Sequence, residues 1–340
     1  MLGAEALFRV KAWQDDRGTL ENLQNRQEIE AAPREDGHTL GAIIRMSRHP
    51  AVVYELMPNL RTRHIGNPLS TNSHGFRGPE VPLEKPDSTF RIVGIGDSLM
   101  FGHGTADDTL YLHLLAEGLR ERLPDRRLDY VNTAVSGYNT AMEVAVLRER
   151  GLAFDPDLVL IHWVGNDFEL PLFIRTRENY LRLDRSFLVT YLRQRFLAQY
   201  RMTAGRLEYA TREDHETIPE AYRFLSGKEP NVAALDDLAD LAVRHGFSVI
   251  FFSIEEPHPE VMARVRRHGF AYINGWSAIR EAMTERGVTD YYDSEFTVAP
   301  GDPHPSELTH RIMADTLIEA FLAKDLVTPA RLPSETPPRE

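Results

Sequence analysis

Four apolar runs of strand length recur along the chain, separated by segments of helical period. The runs are Phe90–Ile95, Leu128–Asn132, Leu158–Val164 and Phe247–Phe252. The third is apolar enough for burial on both faces. Residues 109–122 read as a helix with Leu112, Leu115 and Leu119 on one side, and residues 139–151 as a second that stops at Gly151. Asn231 is placed to cap a helix carrying Leu235, Leu238 and Leu241, which Gly246 ends. Two more helices are predicted, over 275–286 and from Ser306 to about Ala323. Strands alternating with helices predict a parallel sheet between two helical layers. Ligands in such sheets bind beyond the carboxyl ends of the strands.

Three stretches depart from this rhythm. Residues 1–50 read as an N-terminal extension and linker; from 11 onward they are polar and without clear period. Residues 51–88 carry turn signals at Pro58-Asn59, Gly66-Asn67-Pro68 and Asn72-Ser73-His74-Gly75, which predict short β-hairpin pieces. Residues 168–229 interrupt the main domain, 89–325, with Tyr, Phe, Leu and Arg and helical stretches around 186–200 and 219–226. This insert reads equally as a lid over a site or as a helical pair packed on the domain. The tail, 326–340, has four prolines from Pro329 onward and is expected to be disordered.

Composition narrows the possibilities. The 340 residues, 42% of them hydrophobic, suffice for a sizeable core. A net charge of −12 argues against a nucleic-acid partner, because phosphate binding needs clustered Lys and Arg. With no cysteine there are no disulfides, thiolate metal sites or Cys nucleophiles. No run approaches the roughly 20 apolar residues of a membrane helix, and no secretory signal is visible. The first ten residues are apolar apart from Glu5 and Arg9, like the inner end of something longer.

Candidate chemistry lies just after the predicted strands and in a late loop. Gly96-Asp97-Ser98-Leu99 puts a serine between a buried strand and a helix, where helix N–H groups can stabilise an oxyanion. Asp302-Pro303-His304-Pro305 offers a histidine to accept the serine proton and a carboxylate to orient it. Asn166, in Gly165-Asn166-Asp167, can donate a side-chain N–H to the oxyanion, and Gly137 a backbone N–H. Taken singly, each reads better as a helix cap, a turn or a loop glycine. His162 reads as a core histidine, His310 as a packing or capping residue, and His103 as a candidate for the pocket wall. No spacing suggests a catalytic metal, and no phosphate loop or other cofactor motif is present.

In order and spacing these four blocks resemble the SGNH (GDSL-type) hydrolase family. Ser98, Gly137, Asn166 and His304 match its four namesake positions across roughly residues 90–325. The resemblance implies a flavodoxin-like three-layer α/β/α sandwich, here with an N-terminal β-hairpin extension and a helical insert. It also implies an acyl-enzyme on Ser98, an oxyanion hole from the N–H groups of Ser98 and Gly137 with the Asn166 side chain, and a structural role for Asp97. The implied substrate is a small-molecule or carbohydrate ester, with a short acyl group preferred. Residues 58–78 look like those of bacterial envelope members, which implies an envelope or periplasmic setting and an N-terminal membrane anchor. Two features depart from the pattern. The last block is Asp-x-His instead of Asp-x-x-His, and Val164 stands where the third block usually has Gly. The short spacing leans toward an O-acetyltransferase using the same site; a non-catalytic glycan-binding protein is the third reading.

Overall fold

Two short antiparallel pairs precede the main domain, the second closed by the turn signal at Gly66-Asn67-Pro68. β1 (Ile44–Met46) pairs with β2 (Tyr54–Leu56), and β3 (Arg61–His64) with β4 (Asn67–Ser70). β1 falls within the stretch read as linker. The computed structural model describes residues 3–11, 40–168 and 227–327, with isolated residues between 181 and 225. Most of the 168–229 insert and residues 328–340 of the tail lie outside the described residues. Residues 3–11 are helical, and the Glu5 carboxylate accepts from Ser186 Oγ and the N–H groups of Phe187 and Leu188.

The first apolar run becomes β5 (Thr89–Gly96), followed by the one-turn helix α1 (Ser98–Phe101) and then α2 (Tyr111–Arg122). β6 (Arg127–Asn132), α3 (Thr140–Glu149) and β7 (Leu158–His162) follow. In the insert, β8 (Met202–Thr203) pairs with β9 (Arg206–Leu207). α4 (Lys228–His245), β10 (Ser248–Ser253), α5 (Pro259–His268), β11 (Ala271–Asn274), α6 (Trp276–Glu285) and α7 (Glu307–Ala323) complete the order.

Five strands form one parallel sheet in the order β6-β5-β7-β10-β11. This is the flavodoxin-like doubly wound order. Every residue of β5 and β7 is buried, because helices cover both faces of a parallel sheet. α2 packs with α7, and α7 with α6; α3 packs with α4, and α4 with α5. These two rows are the outer layers of the sandwich.

Sequence periodicity missed β11 and α5. β11 is an edge strand with one buried residue, and α5 buries only Val261 and Val265. Neither carries a continuous apolar signal. Asn231 does not cap its helix: α4 begins three residues earlier, after Gly227 at φ +89°. Asn231 instead accepts from Ala141 N and donates to Gly227 O, tying α3 to α4.

The β1–β4 extension is bound to the sandwich by buried polar contacts. The Arg77 guanidinium, fully buried, donates to the carbonyls of Phe101, Gly102 and Thr105 and to Asp107. An isolated bridge joins Arg77 to Asn132 at the end of β6. No helix among the described residues is long and apolar enough to cross a membrane.

Candidate active site

β5 and β7 are neighbours, but the chain leaves them toward opposite ends of the sheet. Their carboxyl ends therefore form the crevice where doubly wound sheets bind ligands. Ser98 is the first residue of α1, where the helix itself supplies no acceptor for its N–H. Asp97 caps this helix, with Oδ1 accepting from Leu99 N at 2.9 Å. Asp97 Oδ2 accepts from both Ser98 Oγ and Asn166 Nδ2, each at 3.2 Å. One carboxylate oxygen thus gathers the β5 turn and the 3-10 turn after β7, Gly165–Phe168. Burial pushes the Asp97 carboxyl up, while Leu99 N–H, His304, Asn166 and Ser98 pull against it.

Gly137 lies in the loop after β6 with φ +79°, a left-handed conformation that glycine adopts without strain. The carbonyl of Ser136 accepts from Tyr54 Oη at 2.9 Å. That carbonyl and the Gly137 N–H belong to one planar peptide, so Tyr54 fixes the direction of the N–H.

His304 stands on the loop before α7. Asp302 Oδ1 accepts from His304 N at 2.9 Å and meets His304 Nδ1 at 2.6 Å. The short Asp-x-His spacing is thus sufficient for a ring–carboxylate bond, because a single oxygen serves both backbone and ring. Although burial raises the Asp302 carboxyl, the bonds from His304 bring it below its ordinary value. Ser98 Oγ is bonded to Asp97 and not to His304, so a proton transfer between Ser98 and His304 would require the hydroxyl to leave Asp97. Such hydrogen bonds commonly form only when substrate is bound.

The His304 ring lies against His103 in a tilted arrangement, with centroids 4.1 Å apart and planes 31° apart. Gly102, at φ +82°, makes the turn that delivers His103; a Cβ there would meet Leu110 Cδ2 at 2.0 Å. Sequence reading placed His103 at the pocket wall but not against the base. It missed His64 and Tyr54 altogether, since neither belongs to a motif. His162 and His310 are fully buried. His162 Nδ1 meets Tyr111 Oη at 3.0 Å, and His310 Nδ1 accepts from Tyr111 N at 3.1 Å.

Among the described residues, one group could bring metal ligands together: His103, Asp302 and His304, whose ligand atoms lie within 4.8 Å of one another. His103 Nδ1 already faces His64 Nε2 at 3.4 Å. Asp302 Oδ1 already serves His304 twice. The donor set fits a hydrogen-bonded cluster better than a metal centre.

The sheet order and the residues gathered at its switch point are those of a doubly wound α/β enzyme. The model of the GDSL-like lipase/acylhydrolase family matches residues 95–312, more than half of the chain. The protein belongs to that family and is an ester hydrolase. None of the curated proteins compared is significantly similar in sequence. Among solved structures it is similar to a catalytic mutant of an acetylxylan esterase from Geobacillus stearothermophilus, at 17% identity over 68% of this chain and 93% of that one, TM-score 0.42. It is also similar to an α/β hydrolase enzyme from the metagenome of Lake Arreo, Spain, at 18% identity over 72% and 99% of the two chains, TM-score 0.42. A two-domain esterase active on acetylated mannans matches at 14% identity and TM-score 0.45, over 74% of this chain and 53% of that one.

Proposed function

We propose that the protein hydrolyses short-chain acyl esters of a carbohydrate through an acyl-enzyme on Ser98. The observation that carries this reading is Asp97 Oδ2, which brings the Ser98 hydroxyl and the Asn166 amide to one point. With Nδ1 of His304 engaged by Asp302, Nε2 is the nitrogen that takes the Ser98 proton. Ser98 Oγ attacks the ester carbonyl, and the oxyanion is held by the N–H groups of Ser98 and Gly137 and by Asn166 Nδ2. Collapse breaks the bond to the alcohol, which leaves with the proton from His304. Water, deprotonated by the same nitrogen, then attacks the acyl-enzyme, and its collapse returns the hydroxyl to Ser98.

The short acyl group and the carbohydrate alcohol follow from the family resemblance. The reacting hydroxyl is itself nearly buried, Ser98 being only 6% exposed.

The reading is tested with p-nitrophenyl esters of graded acyl length and with acetylated oligosaccharides. Short acyl groups are expected to react fastest, and Ser98→Ala to lower kcat on the order of 10⁴-fold or more. Hydrolysis that survives Ser98→Ala overturns the assignment. Acyl transfer to an added oligosaccharide in preference to water would turn the reading to an O-acetyltransferase.

A further inference from the structure

The family match begins at residue 95, yet two side chains from the preceding β1–β4 extension end at the site. Tyr54, on β2, is fully buried and donates to Ser136 O at 2.9 Å. Its hydroxyl thereby holds the peptide that carries the Gly137 N–H. Tyr138 Oη in turn donates to Tyr54 O, which secures β2 against the loop from its other side. His64, at the end of β3, is 2% exposed, and its Nε2 lies 3.4 Å from Nδ1 of His103. The His103 ring is the surface on which His304 rests. The loop bearing His103 is clamped by Arg77 through the carbonyls of Phe101, Gly102 and Thr105, and by Asn67 Nδ2 through Gly104 O at 2.7 Å.

We propose that the extension is a working part of the active site. On this view Tyr54 aims the Gly137 N–H at the oxyanion, and His64 holds His103 as the platform for the His304 ring. The proposal rests on the reading of Ser98 and His304 given above. Tyr54, His64 and His103 are positioning residues, acting through other groups and not on substrate. When His304 takes the Ser98 proton, a cation forms against the face of His103. A neutral ring attracts such a cation; a protonated one would repel it. Burial, with His304, His64 and Arg77, pulls the His103 pKa down to about 3 against the opposing charge of Asp302. The platform is therefore neutral wherever esterases are assayed. Burial, with Tyr138 and Asp97, likewise pushes the Tyr54 phenol well up, so it remains a donor.

Four single variants of the full chain test this: Tyr54→Phe, His64→Phe, His103→Ala and His103→Phe. Each is read by kcat and KM on p-nitrophenyl acetate, by the rate of Ser98 labelling with a fluorophosphonate, and by thermal melting. His103→Ala is expected to lose about tenfold in kcat with KM nearly unchanged. His103→Phe, which restores a neutral ring face, should return to within about threefold of wild type. Tyr54→Phe should cost about tenfold in kcat and in labelling rate, since both reactions need the oxyanion site. His64→Phe should cost about threefold. An unchanged kcat in either Tyr54→Phe or His103→Ala overturns the proposal, as does Phe at 103 performing no better than Ala. Should His103→Ala fail to fold, Tyr54→Phe, which deletes one oxygen, decides. The underlying reading fails separately: activity surviving in Ser98→Ala or His304→Ala removes the site itself, whatever the positioning variants do.

Discussion

The two halves of the candidate site are held by different means. On the Ser98 side, geometry is built into the ends of β5 and β7, and the acidic groups beneath it are sealed from water. Asp97, Asp167 and Glu143 are all fully buried. On the His304 side, the Asp302 and His304 side chains are 32% and 19% exposed and stand on a loop. Hydrogen bonds and a ring contact hold that loop, not the sheet: Val298 N donates to His304 O, and His103 lies against the imidazole. Buried charge must be neutralised or compensated, whereas half-exposed charge keeps much of its hydration. Changes on the first side should therefore register in stability as well as rate, and changes on the second mainly in rate.

Leaving Ser98 itself aside, the largest effect is expected on the half-exposed side. Asp302→Ala removes the oxygen that orients both the amide and the ring of His304. We expect kcat to fall on the order of 10³-fold, with the urea midpoint little changed. A loss below about tenfold would mean that the loop and His103 orient the ring without the carboxylate. Next comes Asn166→Ala, with an expected loss of about 10²–10³-fold in kcat and KM largely kept. This variant also takes a hydrogen bond from the buried Asp97, so its melting temperature should drop, unlike that of Asp302→Ala. An unchanged kcat would remove Asn166 from the oxyanion hole, and an unchanged melting temperature would blur the contrast between the halves.

Legibility in the sequence divides along a similar line. Four of the five strands of the sheet could be read because burial on both faces demands unbroken apolar runs, as in Leu158–His162. β11 could not, since an edge strand with one buried residue leaves no such trace. Ser98, Asn166 and His304 stood out because each follows a strand or opens a helix in a recurrent order. Tyr54 and His64 did not, because their partners, Ser136 and His103, lie 82 and 39 residues away. Contacts of that range leave no local spacing to detect. Glu143 offered a signal that went unused: a lone acid among Met142, Val144, Ala145 and Val146, all buried.

Glu143 supplies the subtlest test of the contrast. It lies one turn after Thr140 on α3, and Thr140 Oγ1 donates to Asp167 Oδ2 at 3.1 Å. Residues three apart share a helix face, so Glu143 faces Asp167. Both Glu143 carboxyl oxygens and Asp167 Oδ1 are buried without a hydrogen-bond partner. Burial, then the charge of Asp97, pushes the Glu143 carboxyl well above its ordinary value; burial, Glu143 and Asp97 do the same to Asp167. The phenol of Tyr111, whose hydroxyl meets His162 Nδ1, is itself pushed up by burial, Asp97 and Glu143. A carboxyl raised in the folded state holds its proton when the unfolded chain has lost it. Its contribution is therefore complete below the ordinary value of 4.5 and is lost as pH rises through the folded value. Wild-type stability should accordingly decline above pH 4.5. Glu143→Gln keeps the shape and removes one ionisation, so its decline should be shallower by up to about 1.4 kcal/mol per pH unit. Its kcat should change less than that of Asn166→Ala. Urea midpoints for both proteins between pH 4.5 and 8 provide the comparison. Parallel curves would show that Glu143 is not protonated in the fold, and that the sealed half carries its charge by some other compensation.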